Sequence, residues 1–270
     1  MEISRKDLIG NNSAKDEVVR SRTKDVIVDS STKDEVVDRS IKDVIVIIPA
    51  FNEEKSIGYV ITDIPREKVI EVIVVNNGSD DRTAEVARNA GATVLTETRK
   101  GYGSACLKGI EYARTLHPEP TIAVFLDADY SDSPGEMPEI LKPIREGIAD
   151  MVIGARVQGK REPGSMMPQQ IFGNWLATRL MRLIYGVHYT DLGPFRAIRF
   201  ATLNRLGMID TNFGWTVEMQ IKAARMNVPF REVPVSYKNR IGVSKIAGTV
   251  SGTVKAGYKI IYTILKYSRK

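Results

Sequence analysis

The sequence predicts an α/β fold with a mainly parallel β-sheet and helices on both faces of that sheet. Short runs of β-branched and other apolar residues recur along the chain, as in strands that are buried on both faces. Stretches with helical patterning lie between consecutive runs, and this alternation indicates βαβ units. Polar and glycine-containing motifs follow the runs directly, at the strand ends where sheets of this kind bind their ligands.

Five runs are predicted strands, and four intervening stretches are predicted helices. The strands are expected over 44–48, 71–75, 92–95, 122–126 and 151–153. The helices are expected over 53–63, 81–90, 103–115 and 135–147. After about residue 160 the alternation ends, and we expect helices over 168–185 and 214–226, a loop with a short strand over 191–199, and an extended segment over 230–237. This second half is expected to pack on the first rather than to form a separate domain.

The first forty residues contain a tandem duplication. Residues 13–30 and 31–48 are identical at eleven of eighteen aligned positions. The second copy runs into the first predicted strand, whereas the first copy is charged and has no apolar continuation. We therefore expect residues 1–40 to form a flexible extension and the domain to begin at residue 41.

Composition narrows the classes of partner. The 270 residues are 43% hydrophobic, enough for a sizeable core, and the formal net charge is +6. A basic balance suits anionic partners such as nucleotides, polyprenyl phosphates or a phospholipid surface. No zinc-finger, RNP or basic-zipper pattern is present, so a nucleic-acid partner is not expected. The single cysteine, Cys106, excludes an intramolecular disulfide, and the polar N-terminus predicts a cytoplasmic protein.

Three of the strand-end motifs could hold an anion. Pro49-Ala50-Phe51-Asn52-Glu53-Glu54 follows the first strand, Asn76-Asn77-Gly78-Ser79-Asp80-Asp81-Arg82-Thr83 the second, and Lys100-Gly101-Tyr102-Gly103 the third. Helix starts with free backbone amides are ready anion sites. Each motif is also explained by a turn followed by a helix cap, so none decides the function alone.

The fourth strand ends in Asp127-Ala128-Asp129. Two carboxylates at the end of a buried strand repel each other, and burying both without a cation is costly. Mg²⁺ or Mn²⁺ would remove the repulsion and bridge to diphosphate oxygens. We therefore predict that Asp127 and Asp129 hold a divalent metal.

Together, in this order, the first, second and fourth of these motifs resemble the GT-A fold family 2 glycosyltransferases, in particular the branch of dolichyl-phosphate mannose and glucose synthases. The resemblance covers roughly residues 42–246. It implies a Rossmann-like GT-A domain over 41–245 and a nucleotide-sugar donor of the UDP-glucose or GDP-mannose type. The donor residues that it implies are Pro49, Ala50, Asn52, Glu53, Asn77, Lys100, Asp127, Ala128 and Asp129. The family usually has aspartate where this chain has Asn77, which leaves the identity of the base open.

The second half matches the same branch at three places. Gly154-Ala155-Arg156, Asp191-Leu192-Gly193-Pro194-Phe195-Arg196 and Arg240-Ile241-Gly242-Val243-Ser244-Lys245 resemble segments of the lipid-phosphate synthases. Arginine binds phosphate in a fork, and lysine adds a point charge. Arg156, Arg196, Arg240 and Lys245 together therefore favour a doubly anionic site, and Arg156 is also a candidate catalytic residue.

The chemical class of the acceptor determines whether the enzyme needs a general base. A polyprenyl phosphate is already an anion, whereas a sugar or small-molecule hydroxyl needs a carboxylate as general base. Asp191 and Glu218 are the candidate bases. The resemblance implies inversion at the anomeric carbon. A nucleotidylyltransferase lacks support because no Gly-x-Gly-Thr-Arg-Leu loop follows the first strand. A non-catalytic, membrane-associated binding module is a more remote alternative.

The C-terminal segment, 246–270, is predicted as an amphipathic, basic helix. Glycines and lysines interrupt it too often for a membrane span. It is expected to lie either on the core or on the cytoplasmic surface of a membrane, since both kinds of helix share one periodicity.

Overall fold

The computed structural model describes residues 42–242 and 250–268, and the side chains of 250–256 are outside this description. The predicted extension, 1–40, and Lys245 therefore lie outside the described residues. The strands are β1 (Val44–Ala50), β2 (Val69–Asn76), β3 (Thr93–Thr96), β4 (Ile122–Phe125), β5 (Met151–Ala155), β6 (Arg196–Arg199) and β7 (Phe230–Pro234). The helices are α1 (Ile57–Thr62), α2 (Thr83–Asn89), α3 (Tyr102–Ala113), α4 (Met137–Arg145), α5 (Pro168–Tyr185), α6 (Phe200–Leu206), α7 (Trp215–Arg225) and α8 (Val250–Lys266).

The seven strands form one sheet in the order β3-β2-β1-β4-β6-β5-β7. The pairs β1–β2, β1–β4, β2–β3 and β5–β7 are parallel, which confirms the predicted fold class. The short strand foreseen within 191–199 is β6, and it runs antiparallel between β4 and β5. β6 therefore separates β4 from β5 in the sheet, although β4 and β5 are consecutive strands along the chain.

The sheet lies between two apolar cores, and the side chains of β1 alternate between them. Its residues alternate, with Val44, Val46 and Ile48 on one face and Ile45 and Ile47 on the other. The first face packs against α1, α2 and α4. The second packs against α3 and against the helices of the second half, α5 to α8. A strand covered on both faces has no polar side to expose, and this explains the uninterrupted β-branched run.

The helix after β1 begins later than predicted, because the residues from Asn52 to Ser56 form a turn that carries site residues. α8 packs against α5 and α7. Its Ile264 is buried, and the Tyr185 hydroxyl of α5 donates to the Ile264 carbonyl at 2.6 Å. Among the described residues, no helix is both long and apolar enough to cross a bilayer.

Candidate active site

A cleft of about 390 Å³ opens at the carboxyl ends of β1, β2 and β4. Eight of the nine predicted donor residues line it together with Arg240; the eight are Pro49, Ala50, Glu53, Asn77, Lys100, Asp127, Ala128 and Asp129. Six lining residues were not named as donor residues: Phe51, Gly101 and Tyr102 lie within the predicted strand-end motifs, whereas Ala105, Asn212 and Phe213 lie outside them. The position is the one expected for a ligand of a doubly wound sheet.

Asn52 joins the first two strand-end loops instead of lining the cleft. Its backbone N–H donates to the Ser79 hydroxyl at 2.9 Å, and its Oδ1 accepts the Asp80 N–H at 2.8 Å. Its φ of 53° lies in the left-handed region, which asparagine tolerates better than most residues. Glu53 follows it, and its N–H donates to the Thr83 hydroxyl at 2.8 Å. Asn52 thus shapes the loop that presents Glu53.

Asn77 holds the loop after β3 against the cleft. Its Nδ2 donates to the carbonyls of Glu97 at 3.0 Å and Arg99 at 2.8 Å, and its Oδ1 accepts the Gly101 N–H at 2.7 Å. Both donors of the amide are therefore used within the protein. The adjacent Lys100 ammonium lies 5.4 Å from the centre of the Phe51 ring. This places a cation beside an aromatic face on the cleft wall.

The loop 210–213 forms the opposite wall, and glycines bring it close. A Cβ at Gly103 would lie 2.0 Å from the Asp210 carbonyl oxygen, so only glycine permits this approach at the start of α3. The Ser104 N–H donates to the Thr211 carbonyl at 2.9 Å. Asn212 and Phe213 reach the cleft through this long-range packing, and local sequence patterns carry no signal for such a contact.

Asp127 carries the clearest electrostatic feature of the site. Its Oδ1 is buried and accepts no hydrogen bond from the described residues. Burial, and after it the neighbouring Asp129 carboxylate, raises the pKa of Asp127 to about 7. An unpaired buried carboxylate oxygen beside a second carboxylate is an unfavourable arrangement without a cation.

Asp129 is held by partners on both oxygens. Its Oδ1 accepts the Ser131 N–H at 2.9 Å and the Ser131 hydroxyl at 2.5 Å. Its Oδ2 lies 3.1 Å from Arg240 Nη1, and Arg240 Nη2 lies 2.6 Å from Glu53 Oε1. Arg240 therefore bridges the first and fourth strand-end motifs, which are far apart in sequence. This bridge fixes the direction of Asp129.

Asp132 is a third acidic residue of the region, and the sequence analysis missed it. It is 2% exposed, and neither carboxylate oxygen has a hydrogen-bond partner among the described residues. Burial, and after it the charge of Asp127, raises the pKa of Asp132. In the sequence it follows the Asp-Ala-Asp motif as an ordinary turn residue, so only its burial reveals it.

The residues present suit a hard divalent cation. Among residues 42–242 and 250–268, no three His, Cys, Asp or Glu side chains are grouped so that they hold a metal by themselves. Mg²⁺ and Mn²⁺ are commonly bound through one or two carboxylates together with substrate phosphates and water. Asp127 and Asp129 supply such a pair, and the unpaired Oδ1 of Asp127 is an available ligand.

Arg156 and Asp191 form a buried ion pair rather than a free cation and a free base. Arg156 Nη2 lies 2.6 Å from Asp191 Oδ1, and the Arg156 N–H and Nε donate to Oδ2 at 2.7 and 3.1 Å. Burial by itself would lower the pKa of Arg156, but the Asp191 carboxylate outweighs it and raises that pKa. Asp191 is fully buried. It therefore orients Arg156 and is not placed to take a proton from an acceptor.

Glu218 and Arg196 lie in the packed interior outside the cleft. Glu218 is fully buried and accepts hydrogen bonds from the backbone N–H groups of Ile209 and Asp210 and from the Tyr267 hydroxyl. Arg196 is also fully buried and donates to the carbonyls of Gly193, Leu192 and Thr216. The structure therefore places neither where the sequence analysis expected it. Tyr267 and Thr216, which lie far from Glu218 and Arg196 respectively in the sequence, are brought to them only by folding.

Comparison with known proteins identifies the family. The model of Glycosyl transferase family 2 matches residues 45–207, more than half of the chain. An uncharacterized glycosyltransferase of Mycobacterium bovis is 36% identical over 216 residues, which cover 79% of this chain and 94% of that protein. A dolichyl-phosphate hexose transferase of Haloferax volcanii is 33% identical, with 82% and 93% covered. An undecaprenyl-phosphate mannosyltransferase of Micrococcus luteus is 32% identical, with 77% and 89% covered.

A solved structure supports the same fold. The glucosyl-3-phosphoglycerate synthase of Mycobacterium tuberculosis, in complex with Mn²⁺, UDP and phosphoglyceric acid, superposes with a TM-score of 0.66. The match covers 84% of this chain and 79% of that one at 22% identity, so it bears on the fold alone. With the family match and the cleft at the strand ends, the conclusion is that this chain belongs to glycosyl transferase family 2 and is a GT-A enzyme that takes its sugar from a nucleotide-sugar donor.

Proposed function

We propose that the enzyme moves a hexose from a UDP-glucose or GDP-mannose type of donor to a polyprenyl phosphate, with inversion at the anomeric carbon. The observation that carries the anionic acceptor is the state of the two candidate bases. Asp191 is locked to Arg156, and Glu218 is locked to the loop 209–210 and to Tyr267. A hydroxyl acceptor needs a free base within hydrogen-bond reach, whereas a phosphate acceptor does not. The polyprenyl-phosphate transferases among the relatives point the same way.

Asp127 and Asp129 would hold Mg²⁺ or Mn²⁺ against the donor diphosphate, and the metal would stabilise the charge that builds on the leaving phosphate. Lys100 and Arg240 line the same cleft and add positive charge to it. Arg240 is already oriented by Glu53 and Asp129, so little reorganisation is needed when charge develops. Phe51 and the loop held by Asn77 would receive the nucleoside.

Arg156 is our candidate for the acceptor phosphate. Its side chain is 12% exposed, and its guanidinium lies 5.1 Å from the centre of the Tyr237 ring. The pairing with Asp191 fixes the plane of the guanidinium and leaves its remaining N–H groups to other acceptors. On this proposal the enzyme works as a peripheral protein on the cytoplasmic face of a membrane, where polyprenyl phosphates are embedded.

A hydroxyl acceptor is the second candidate, because Asp132 is a third carboxylate beside Asp127 whose oxygens have no hydrogen-bond partner among the described residues. The test is a panel of donors and acceptors with Mn²⁺, Mg²⁺ or a chelator. Formation of a lipid-linked hexose, seen by mass spectrometry with a short polyprenyl phosphate in detergent, supports the proposal. Transfer to glycan or small-molecule hydroxyls, with none to polyprenyl phosphate, would overturn it.

A further inference from the structure

The exposed face of α5 carries an unusual set of side chains. Ile171, Phe172 and Trp175 lie on one face of the helix, followed on the same face by Arg179 and, near its end, by Arg182 and Leu183. Phe172 is 60% exposed, Trp175 57% and Leu183 81%, and the two aromatic rings are 5.8 Å apart. A contiguous patch of large apolar side chains exposed to solvent commonly marks an interaction surface.

The other face of α5 is firmly packed, so the exposed side is not a sign of a loosely attached helix. Asn174, Ala177, Thr178 and Met181 are buried. The Asn174 side chain donates to the Thr190 carbonyl at 2.8 Å and accepts the Leu192 N–H at 2.9 Å. The helix is therefore fixed to the segment that contains Asp191. Its exposed apolar residues, Ile171, Phe172, Trp175 and Leu183, form an apolar stripe that faces outward.

Charge favours an anionic partner for this stripe. Residues 168–185 contain two arginines, both exposed, and no aspartate or glutamate. α8 packs beside α5, and its sequence contains three lysines and no acidic residue. Exposed apolar and aromatic side chains combined with arginines on a helix without acidic residues suit the interface of an anionic bilayer. A protein partner would have to supply acidic groups at the arginines and a groove for the two rings.

The stripe is also connected to the cleft. The loop before α5 pairs with the segment that bears Arg240: the Glu162 N–H donates to the Tyr237 carbonyl, and the Glu162 carboxylate accepts the Asn239 N–H at 2.7 Å. Arg240 follows Asn239 directly and lines the cleft. The Tyr237 ring in turn lies 5.1 Å from the Arg156 guanidinium, so a bilayer lying against α5 would adjoin the segment beside the candidate residue for the acceptor phosphate.

We propose that the exposed face of α5 docks the enzyme on an anionic lipid bilayer, with Ile171, Phe172 and Trp175 inserted at the interface and Arg179 and Arg182 on the headgroups. This inference deepens the proposed function, because it names the surface from which a lipid acceptor would be drawn. Docking itself depends only on the surface of α5.

The chain offers a built-in reporter, since it has two tryptophans and Trp215 is buried in the core. We expect the fluorescence of the full chain to shift to the blue on vesicles that contain phosphatidylglycerol. Brominated acyl chains should quench it, and Trp175→Phe should abolish both effects. Phe172→Glu should weaken vesicle binding by roughly tenfold or more, whereas Ile148→Glu, a similarly exposed apolar site on another surface, should not.

Charge is tested with Arg179→Gln/Arg182→Gln against the matched pair Arg88→Gln/Arg231→Gln, whose arginines are exposed elsewhere. Only the first pair should lower binding to anionic vesicles, most strongly at low salt. No fluorescence change with anionic vesicles would overturn the proposal. A concentration-dependent dimer that Phe172→Glu abolishes, without vesicle binding, would assign the face to a second copy and would overturn it too.

Failure of docking and failure of the proposed function are separable. Transfer to a short polyprenyl phosphate in detergent needs no bilayer, so Phe172→Glu should retain that activity while losing vesicle binding. If the unaltered enzyme binds anionic vesicles but does not glycosylate polyprenyl phosphate, the docking surface stands and the acceptor assignment fails.

Discussion

At the scale of single residues, the chemistry of Asn77 explains a departure from the family pattern. A carboxylate only accepts hydrogen bonds, whereas an amide also donates, and this amide donates to two backbone carbonyls of the loop 97–101. The loop carries Lys100 and Gly101 into the cleft. Asn77 is thus a clamp on the donor site, and its donors are not available to a nucleotide base.

Replacing Asn77 with aspartate should therefore loosen the loop. Asn77→Asp removes both donated bonds and sets a carboxylate against two carbonyl oxygens, so we expect a loss of roughly 2 to 4 kcal/mol in the free energy of unfolding. UDP binding should weaken as Lys100 moves. Thermal unfolding and calorimetry test this, with the exposed Asn227→Asp as control. An unchanged free energy of unfolding would show that the hydrogen bonds donated by Asn77 do not stabilise the loop.

The metal assignment is tested at Asp129. Asp129→Ala removes one of the two carboxylates and leaves the buried strand β4 intact, so the fold should persist. Turnover should fall by at least ~100-fold, on the scale of a main electrostatic catalyst, and Mn²⁺ binding measured by electron paramagnetic resonance should weaken in parallel. The control is Glu139→Ala on the exposed side of α4. Near-normal turnover with Mn²⁺ present would refute the assignment.

At the scale of elements, sequence patterns predict most helices and strands of both halves, but they miss α6 and the position of β6 in the sheet. β1 to β5 and α1 to α4 follow local hydrophobic runs, and their existence needs no tertiary information. The place of β6 between β4 and β5 depends on long-range pairing, as Val124 opposite Ala197 illustrates. For the same reason the cleft residues at strand ends were predicted, whereas Asn212 and Phe213 were not.

Glu218, a candidate general base from the sequence, connects three elements of the fold in the structure. It ties α7 to the loop 209–210 and, through Tyr267, to the end of α8. Glu218→Gln would replace an acceptor oxygen with a donor that faces backbone N–H groups. We expect a loss of about 2 to 3 kcal/mol in stability.

The activity of the folded fraction of Glu218→Gln should stay within several-fold of the unaltered enzyme. Tyr267→Phe, which removes only one partner, should cost about 1 kcal/mol. Calorimetric unfolding and turnover per folded molecule distinguish a structural role of Glu218 from a role as general base. A large fall in turnover at unchanged stability would restore Glu218 as a general base.

At the scale of the whole molecule, charge is divided between the site and the surface. The chain is basic overall, at +6, yet acidic side chains gather at the strand ends. These are Glu53, Asp127, Asp129, Asp132 and Asp191, set against Arg156 and Arg240. An anionic donor approaches a basic surface easily, but it needs a cation to enter an acidic centre. Sequence composition gives the first property, and only the folded arrangement shows the second.

The described cleft is built entirely from residues between Pro49 and Arg240. The duplicated segment before residue 31 lacks the Pro-Ala-Phe-Asn-Glu-Glu continuation that supplies the first wall of the site. Deletion of residues 1–30 should therefore preserve donor binding. A ligand that binds only the folded state stabilises it by about 2.7 kcal/mol at a concentration of 100 Kd, so UDP with Mn²⁺ should raise the unfolding temperature of both proteins equally. Calorimetric titration of UDP then compares the two affinities directly. Weaker UDP binding by the shortened protein, with its circular dichroism and unliganded unfolding temperature unchanged, would show that the extension is part of the donor site.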